Sequence, residues 1–109
     1  MKLRNVMIAL TAGLAVSGQA AAMDAKAANE LMTKAGCNAC HQQEKKVLGP
    51  AYKDVSVKYK GNAKAADLLA QKVRAGGSGV YGPIPMPPNP KEKIGDEDLK
   101  KLVGWILSL

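Results

Sequence analysis

The sequence predicts an all-α domain, and three observations carry that expectation. Apolar residues recur at helical spacing in separate segments, no stretch alternates with the period of a strand, and the connections are rich in glycine and proline. No internal repeat is visible. Among its 109 residues the chain has no Phe, three Tyr and one Trp. A small core built from side chains alone is therefore short of large apolar bodies and needs reinforcement by disulfides, a metal or a cofactor.

The first segment is not expected to belong to that domain. Lys2 and Arg4 precede an apolar run from Val6 to Val16, broken only by Thr11 and Gly13, and Ala20-Ala21-Ala22 follows a polar break. This is the pattern of a secretory signal cut after Ala22. The run is too short to span a bilayer, and no cysteine stands at the cut to take a lipid, so no membrane anchor is expected. The expected organisation is a signal peptide over 1–22 and one exported domain over 23–109, placed in the periplasm. Without Lys2 and Arg4 the domain carries fourteen basic and nine acidic residues, a net charge of +5. That charge favours an anionic partner surface. The lysines lack the interleaved aromatics of a single-strand binder, so no nucleic acid is expected as partner.

The first helix is predicted over Asp24 to Ala35, because Ala28, Leu31, Met32 and Ala35 fall at i, i+3, i+4 and i+7. Gly36 ends it and delivers the chain to Cys37. Gln42 to Ala51 reads as irregular, with Gly49-Pro50 as punctuation. A short helix is expected over Tyr52 to Tyr59, stopped by Lys60-Gly61-Asn62. A clearer amphipathic one runs over Ala63 to Ala75, with Ala66, Leu69, Ala70 and Val73 on one side and Gly76-Gly77 at its end. The next segment, GGSGVYGPIPMPPNP over Gly76 to Pro90, holds four of the eleven glycines and five of the six prolines. It reads as a stiff strap near polyproline II, with Met86 at its centre. GDEDLKKLVGWILSL closes the chain with acids in the first turn of a last helix. Leu99, Leu102, Val103, Ile106 and Leu109 are its expected buried face, with Trp105 beside it.

The only two cysteines and the only histidine lie within five consecutive residues, CNACH over Cys37 to His41. A disulfide between Cys37 and Cys40 closes too small a loop to stabilise much. Structural zinc needs four ligands where three are present, an iron–sulfur cluster wants four thiolates, and a thioredoxin-like pair asks for a βαβ pattern that is missing. C-x-x-C-H is the attachment signature of c-type haem. Two thiols at this spacing can add across the vinyl groups of one porphyrin edge, while the adjacent imidazole reaches the iron. One haem c, bound covalently through Cys37 and Cys40, also supplies the missing apolar body, and attachment outside the cytoplasm agrees with the signal.

The opposite face of the iron decides carrier against catalyst. A Met sulfur, a Lys amine, water or nothing can stand there. Met1 and Met7 fall in the signal, Met23 at the new terminus and Met32 on the first helix, which leaves Met86 on its proline strap. His41 and Met86 are thus the expected iron ligands. A soft thioether favours ferrous iron and closes the site to small molecules, and no acid/base or nucleophile constellation is present. The reading is an electron-transfer protein and not an enzyme. Its rival is a haem peroxidase or gas sensor with a labile Met ligand, prompted by the flexible Gly76-Gly77-Ser78-Gly79 run, and an electron-entry subunit of a larger oxidoreductase is a third possibility.

CNACH, GPAYKDV over Gly49 to Val55, GVYGPIPMPPN over Gly79 to Asn89 and the terminal WILSL together resemble the small bacterial class I c-type cytochromes of the cytochrome c-551/c-552 type. The resemblance spans nearly all of the expected domain. It implies a compact class I cytochrome c fold with about four to five helices around one haem, the first and last crossing near it. It further implies a soluble, monomeric one-electron carrier between a membrane cytochrome complex and a nitrite reductase or terminal oxidase. By the same resemblance Pro50 offers its carbonyl to the proximal imidazole, Asn89 sets its amide near the Met sulfur, and Trp105 packs. Tyr81 and Lys72 depart from the residues relatives often carry near the propionates, and the Pro90 to Gly95 segment is longer than usual. Lys34, Lys45, Lys46 and Lys72 are candidates for a docking patch.

Overall fold

Asp24 starts the first helix, its carboxylate accepting the Ala27 N–H at 2.7 Å, so that one otherwise unpaired amide of the first turn is satisfied. Residues 23–109 are described in the computed structural model, and the expected signal peptide over 1–22 lies outside the described residues. Four helices follow, Ala25–Ala35 (α1), Tyr52–Tyr59 (α2), Ala65–Ala75 (α3) and Asp96–Leu107 (α4), with a 3₁₀ turn at Cys37–Ala39. Among the described residues there is no named strand, only single bridges of His41 to Lys46 and Gly77 to Met86. The all-α expectation stands. No helix among these residues is long and apolar enough to cross a membrane.

Each helix buries part of the face its pattern announced, while Leu31, Ala70 and Val73 of the expected faces are only half-buried. On α1, Ala28, Met32 and Ala35 are buried. Gly36 adopts φ 85° and turns its N–H onto the Met32 and Thr33 carbonyls, a left-handed conformation that glycine takes at little cost. The α2 helix is entered from the motif loop: Tyr52 and Lys53 donate their N–H groups to the Gln42 and Gln43 carbonyls at 2.9 and 3.0 Å. On α3 the helix begins at Ala65 and not Ala63, because the Asn62 side chain accepts the Lys64 N–H at 2.9 Å and holds a turn there. Ala65 and Leu69 are buried while Ala66 is exposed. A single methyl cannot dictate the phase of a helix, and Leu69 does.

The α4 helix is the hub, packing on α1, α2 and α3, which is the expected contact of first and last helices. Asp96, Glu97 and Asp98 stand in its first turn, where the helix dipole favours negative charge. Leu99, Leu102, Val103 and Trp105 are buried, and full burial of side chains of this size stabilises by about 1.5–3 kcal/mol each. Ile106 and Leu109, expected on the same face, are only half-buried. Ile106 instead lines the cleft described below. The chain end is tied back by Ser56, whose hydroxyl lies 3.1 Å from the Leu107 carbonyl and 2.9 Å from that of Leu109. The long connector also contributes to the core, since Ile94 is 3% exposed.

Candidate functional site

The inner faces of α1, α3 and α4 do not close on one another. They border a cleft with Met32, Leu69, Val73, Leu102, Val103 and Ile106 among its walls. Cys37, Cys40 and His41 line it from the motif turn, and Met86 lines it from the strap. All four residues singled out in the sequence therefore line one cleft, although 44 residues of chain separate His41 from Met86.

The motif turn is wound by its own backbone. Cys40 and His41 both donate their N–H groups to the Cys37 carbonyl, at 3.1 and 3.0 Å. Neither cysteine is in a disulfide, and both are half-buried. Burial pushes the Cys37 thiol up, against smaller opposing effects of a backbone hydrogen bond and of Lys93. Among the described residues no three His, Cys, Asp or Glu side chains converge on one point.

His41 is fixed from three sides. Its Nδ1 lies 2.7 Å from the Pro50 carbonyl. A carbonyl only accepts, so Nδ1 carries the hydrogen, and in the neutral ring the lone pair is then on Nε2. The Tyr52 ring stacks on the imidazole with centroids 5.3 Å apart and planes 27° apart. Gly49 forms the third side, where an added Cβ would stand 2.5 Å from Cε1 and 2.9 Å from Nδ1 of His41. Gly49→Ala must therefore displace the ring or its loop. We expect this variant to weaken the His41–Pro50 bond and to cost about 1–3 kcal/mol of stability in a denaturant melt of the holoprotein; an unchanged midpoint would contradict the close fit.

Tyr52 links this arrangement to α1. Its hydroxyl donates to the Asn38 side-chain oxygen at 3.0 Å, and the Asn38 amide donates in turn to the Asn29 side-chain oxygen at 3.0 Å and to the Thr33 hydroxyl at 2.9 Å. Burial, and then the nearby Cys37 and Cys40, push the Tyr52 hydroxyl far above the usual phenol range, so it stays protonated and able to donate.

Met86 is held by backbone pairing. Gly77 and Met86 exchange two hydrogen bonds, both 2.9 Å. Gly76 adopts φ 65°, and a Cβ there would run into the Met86 carbonyl, so this approach requires glycine. Met32, on α1, is 2% exposed in the core.

The Asn89 side-chain amide, on the same strap, donates to the Val73 and Pro87 carbonyls, both at 3.1 Å. Trp105 packs in the core as expected, 8% exposed.

The cleft mouth is apolar, and Lys72 and Lys93 are the lysines that line the cleft. Leu48, Val80 and Ile84 are about half exposed there, and Tyr81 stands under the Lys58 ammonium, 5.5 Å from its ring centroid. Lys72 lines the cleft, while Lys34, Lys45 and Lys46 are exposed. Sequence reasoning passed over Gly49, Tyr52 and Asn38. The first two lie in GPAYKDV beside Pro50, and the small residue before that proline was the available signal; Asn38 carried none.

These donors fit a covalently held haem. The apolar walls match a macrocycle, two thiols stand on one wall, and an imidazole with an oriented lone pair and a thioether face the same space. Comparison with known proteins points the same way. The chain matches the Cytochrome c family over residues 25–109. It is similar to cytochrome c2 of Rubrivivax gelatinosus, 51% identical over 72% of this chain and 92% of that protein. It is similar also to cytochrome c-551 of Allochromatium vinosum, 52% identical over 72% of this chain and 82% of that one. The crystal structure of wild-type cytochrome c552 from Nitrosomonas europaea superposes with a TM-score of 0.68 at 50% identity, covering 73% of this chain and 96% of that one.

Proposed function

The chain belongs to the cytochrome c family, and on that premise we propose that it is a periplasmic carrier whose single iron is held between His41 and Met86. Membership brings one covalently bound haem c and the role of a one-electron carrier, not of an enzyme. The finer reading adds the ligands, the compartment and the partners. A respiratory donor such as a membrane cytochrome complex supplies the electron, and a nitrite reductase or terminal oxidase receives it.

The observation that carries this reading is that Met86 is brought to the same cleft as His41 on a strap that leaves it little freedom. Bound haem supplies an iron that cycles between ferric and ferrous. The chain's own residues do the rest. Pro50 holds the Nδ1 hydrogen of His41 and so orients Nε2, a contact of the kind that fixes ring and tautomer at metal sites. The thioether of Met86 is a soft donor that favours the reduced state. Apolar walls exclude water, and a strap pinned at both ends changes little between oxidation states. Leu48, Val80 and Ile84 at the mouth, with Lys45 and Lys46 exposed nearby in sequence, suit a brief encounter with a complementary redox protein.

Carbon monoxide and a small anionic oxidant test the proposal together. The ferrous holoprotein at neutral pH is expected to refuse carbon monoxide, to pass its electron rapidly to hexacyanoferrate(III), and to do so more slowly as salt rises, since fourteen basic against nine acidic side chains over 23–109 steer anions. Ready uptake of carbon monoxide by the native ferrous protein would overturn the closed site and favour a gas-binding role.

A further inference from the structure

We propose that Arg74 is a positioning residue for Met86, its guanidinium tying the exit of the strap to the head of α4 and so setting how readily the thioether leaves the iron. The proposal rests on the reading of His41 and Met86 as ligands.

Arg74 stands in the last turn of α3, a place where a cation ordinarily faces solvent and suits the helix dipole. Here it turns inward, its side chain 23% exposed. Nη1 donates to the Asn89 carbonyl at 3.1 Å and to the Ile94 carbonyl at 2.6 Å, while Nη2 donates to the Asp96 carboxylate at 2.7 Å. One planar group thus joins the residue three after Met86, the buried plug of the long connector and the first residue of α4. The Asp96 carboxyl is held below the usual carboxylate range by Arg74 first and Lys91 second. Lys91 does not duplicate the clamp, since its contact to Asp96 is 3.3 Å with a side chain 74% exposed, and such surface pairs contribute little.

The strap has two halves. The first is fixed by the Gly77 and Met86 backbone pair, and Met86-Pro87-Pro88 carries little slack because proline fixes its own φ. The second half ends at Asn89, whose N–H reaches the Val73 and Arg74 carbonyls at 3.1 and 3.3 Å. The Asn89 carbonyl has the guanidinium as its hydrogen-bond donor. Departure of Met86 from the iron requires the second half to swing, and that swing breaks charge-assisted bonds that only a fork of Arg geometry makes at once.

The test uses ferric holoprotein titrated with imidazole, alongside the near-infrared sulfur-to-iron band. When a ligand binds only after Met86 leaves, its apparent dissociation constant varies inversely with the open fraction. Arg74→Met is expected to tighten imidazole binding about tenfold by raising the open fraction and to weaken the band. Arg74→Lys should fall between the two, and Asp96→Asn should give a smaller change in the same direction without removing the fold's buried contacts. In a Met86→Ala background, imidazole should bind tightly and Arg74→Met should add nothing. Unchanged imidazole affinity in Arg74→Met with Met86 intact overturns the proposal, as does an equal change in both backgrounds, which would mark a merely structural role. Failure of the ligand reading looks different: the native band is absent and Met86→Ala leaves imidazole affinity unaltered, and the clamp falls with it.

Discussion

Met86→Ala is expected to open the iron: the ferrous variant takes up carbon monoxide at neutral pH, and the reduction potential drops by roughly 0.1–0.3 V, a part of the ~0.8 V over which axial ligands move haem potentials. The direction follows from softness. A thioether stabilises ferrous iron more than ferric, and water or hydroxide in its place does the reverse. The fold should survive, because Met86 is half-buried and lines the cleft without belonging to the packed core. A helical signal equal to that of the parent, with a lowered potential and carbon monoxide bound, is the full expected result. Retention of the parent potential would show that Met86 does not act on the iron.

Removing the thiols is expected to cost the fold itself. The buried apolar set contains four alanines among its thirteen residues, Ala28, Ala35, Ala51 and Ala65, and of the large side chains only Val103 falls below 2% exposure. Val73, Ile106 and Tyr59 are only half-buried, and each borders the cleft. The body in the cleft therefore completes the core, as a chain of this size needs. Cys37→Ala with Cys40→Ala abolishes covalent attachment, and a group that binds only the folded state stabilises it by mass action. The variant purified without haem should show a weakened helical circular dichroism signal and no cooperative thermal transition. A sharp transition near that of the holoprotein would mean the helices support themselves.

Much of this was legible in the sequence, for identifiable reasons. The period of Ala28, Met32 and Ala35 placed α1, Gly36 ended it, and Tyr52–Tyr59 emerged with its expected bounds because turn residues flank it on both sides. CNACH and the proline strap declared themselves through residue types that few other chemistries use together. Three features were hidden. The start of α3 depended on a side-chain turn at Asn62, which propensity does not register. Ile106 reads as a core residue on any helical wheel, and its half-exposure reflects a cleft that only tertiary packing creates. Asn89 and Arg74 take partners far along the chain, Val73 for one and Ile94 with Asp96 for the other, and such pairings leave no local pattern.

The most direct measurement of the account is the near-infrared absorption spectrum of the oxidised holoprotein at neutral pH. A weak sulfur-to-iron charge-transfer band, present in the native protein and lost in Met86→Ala, is the expected result and places the thioether on the iron of a closed carrier. Its absence from the native protein would contradict that ligation and, with it, the proposed mechanism.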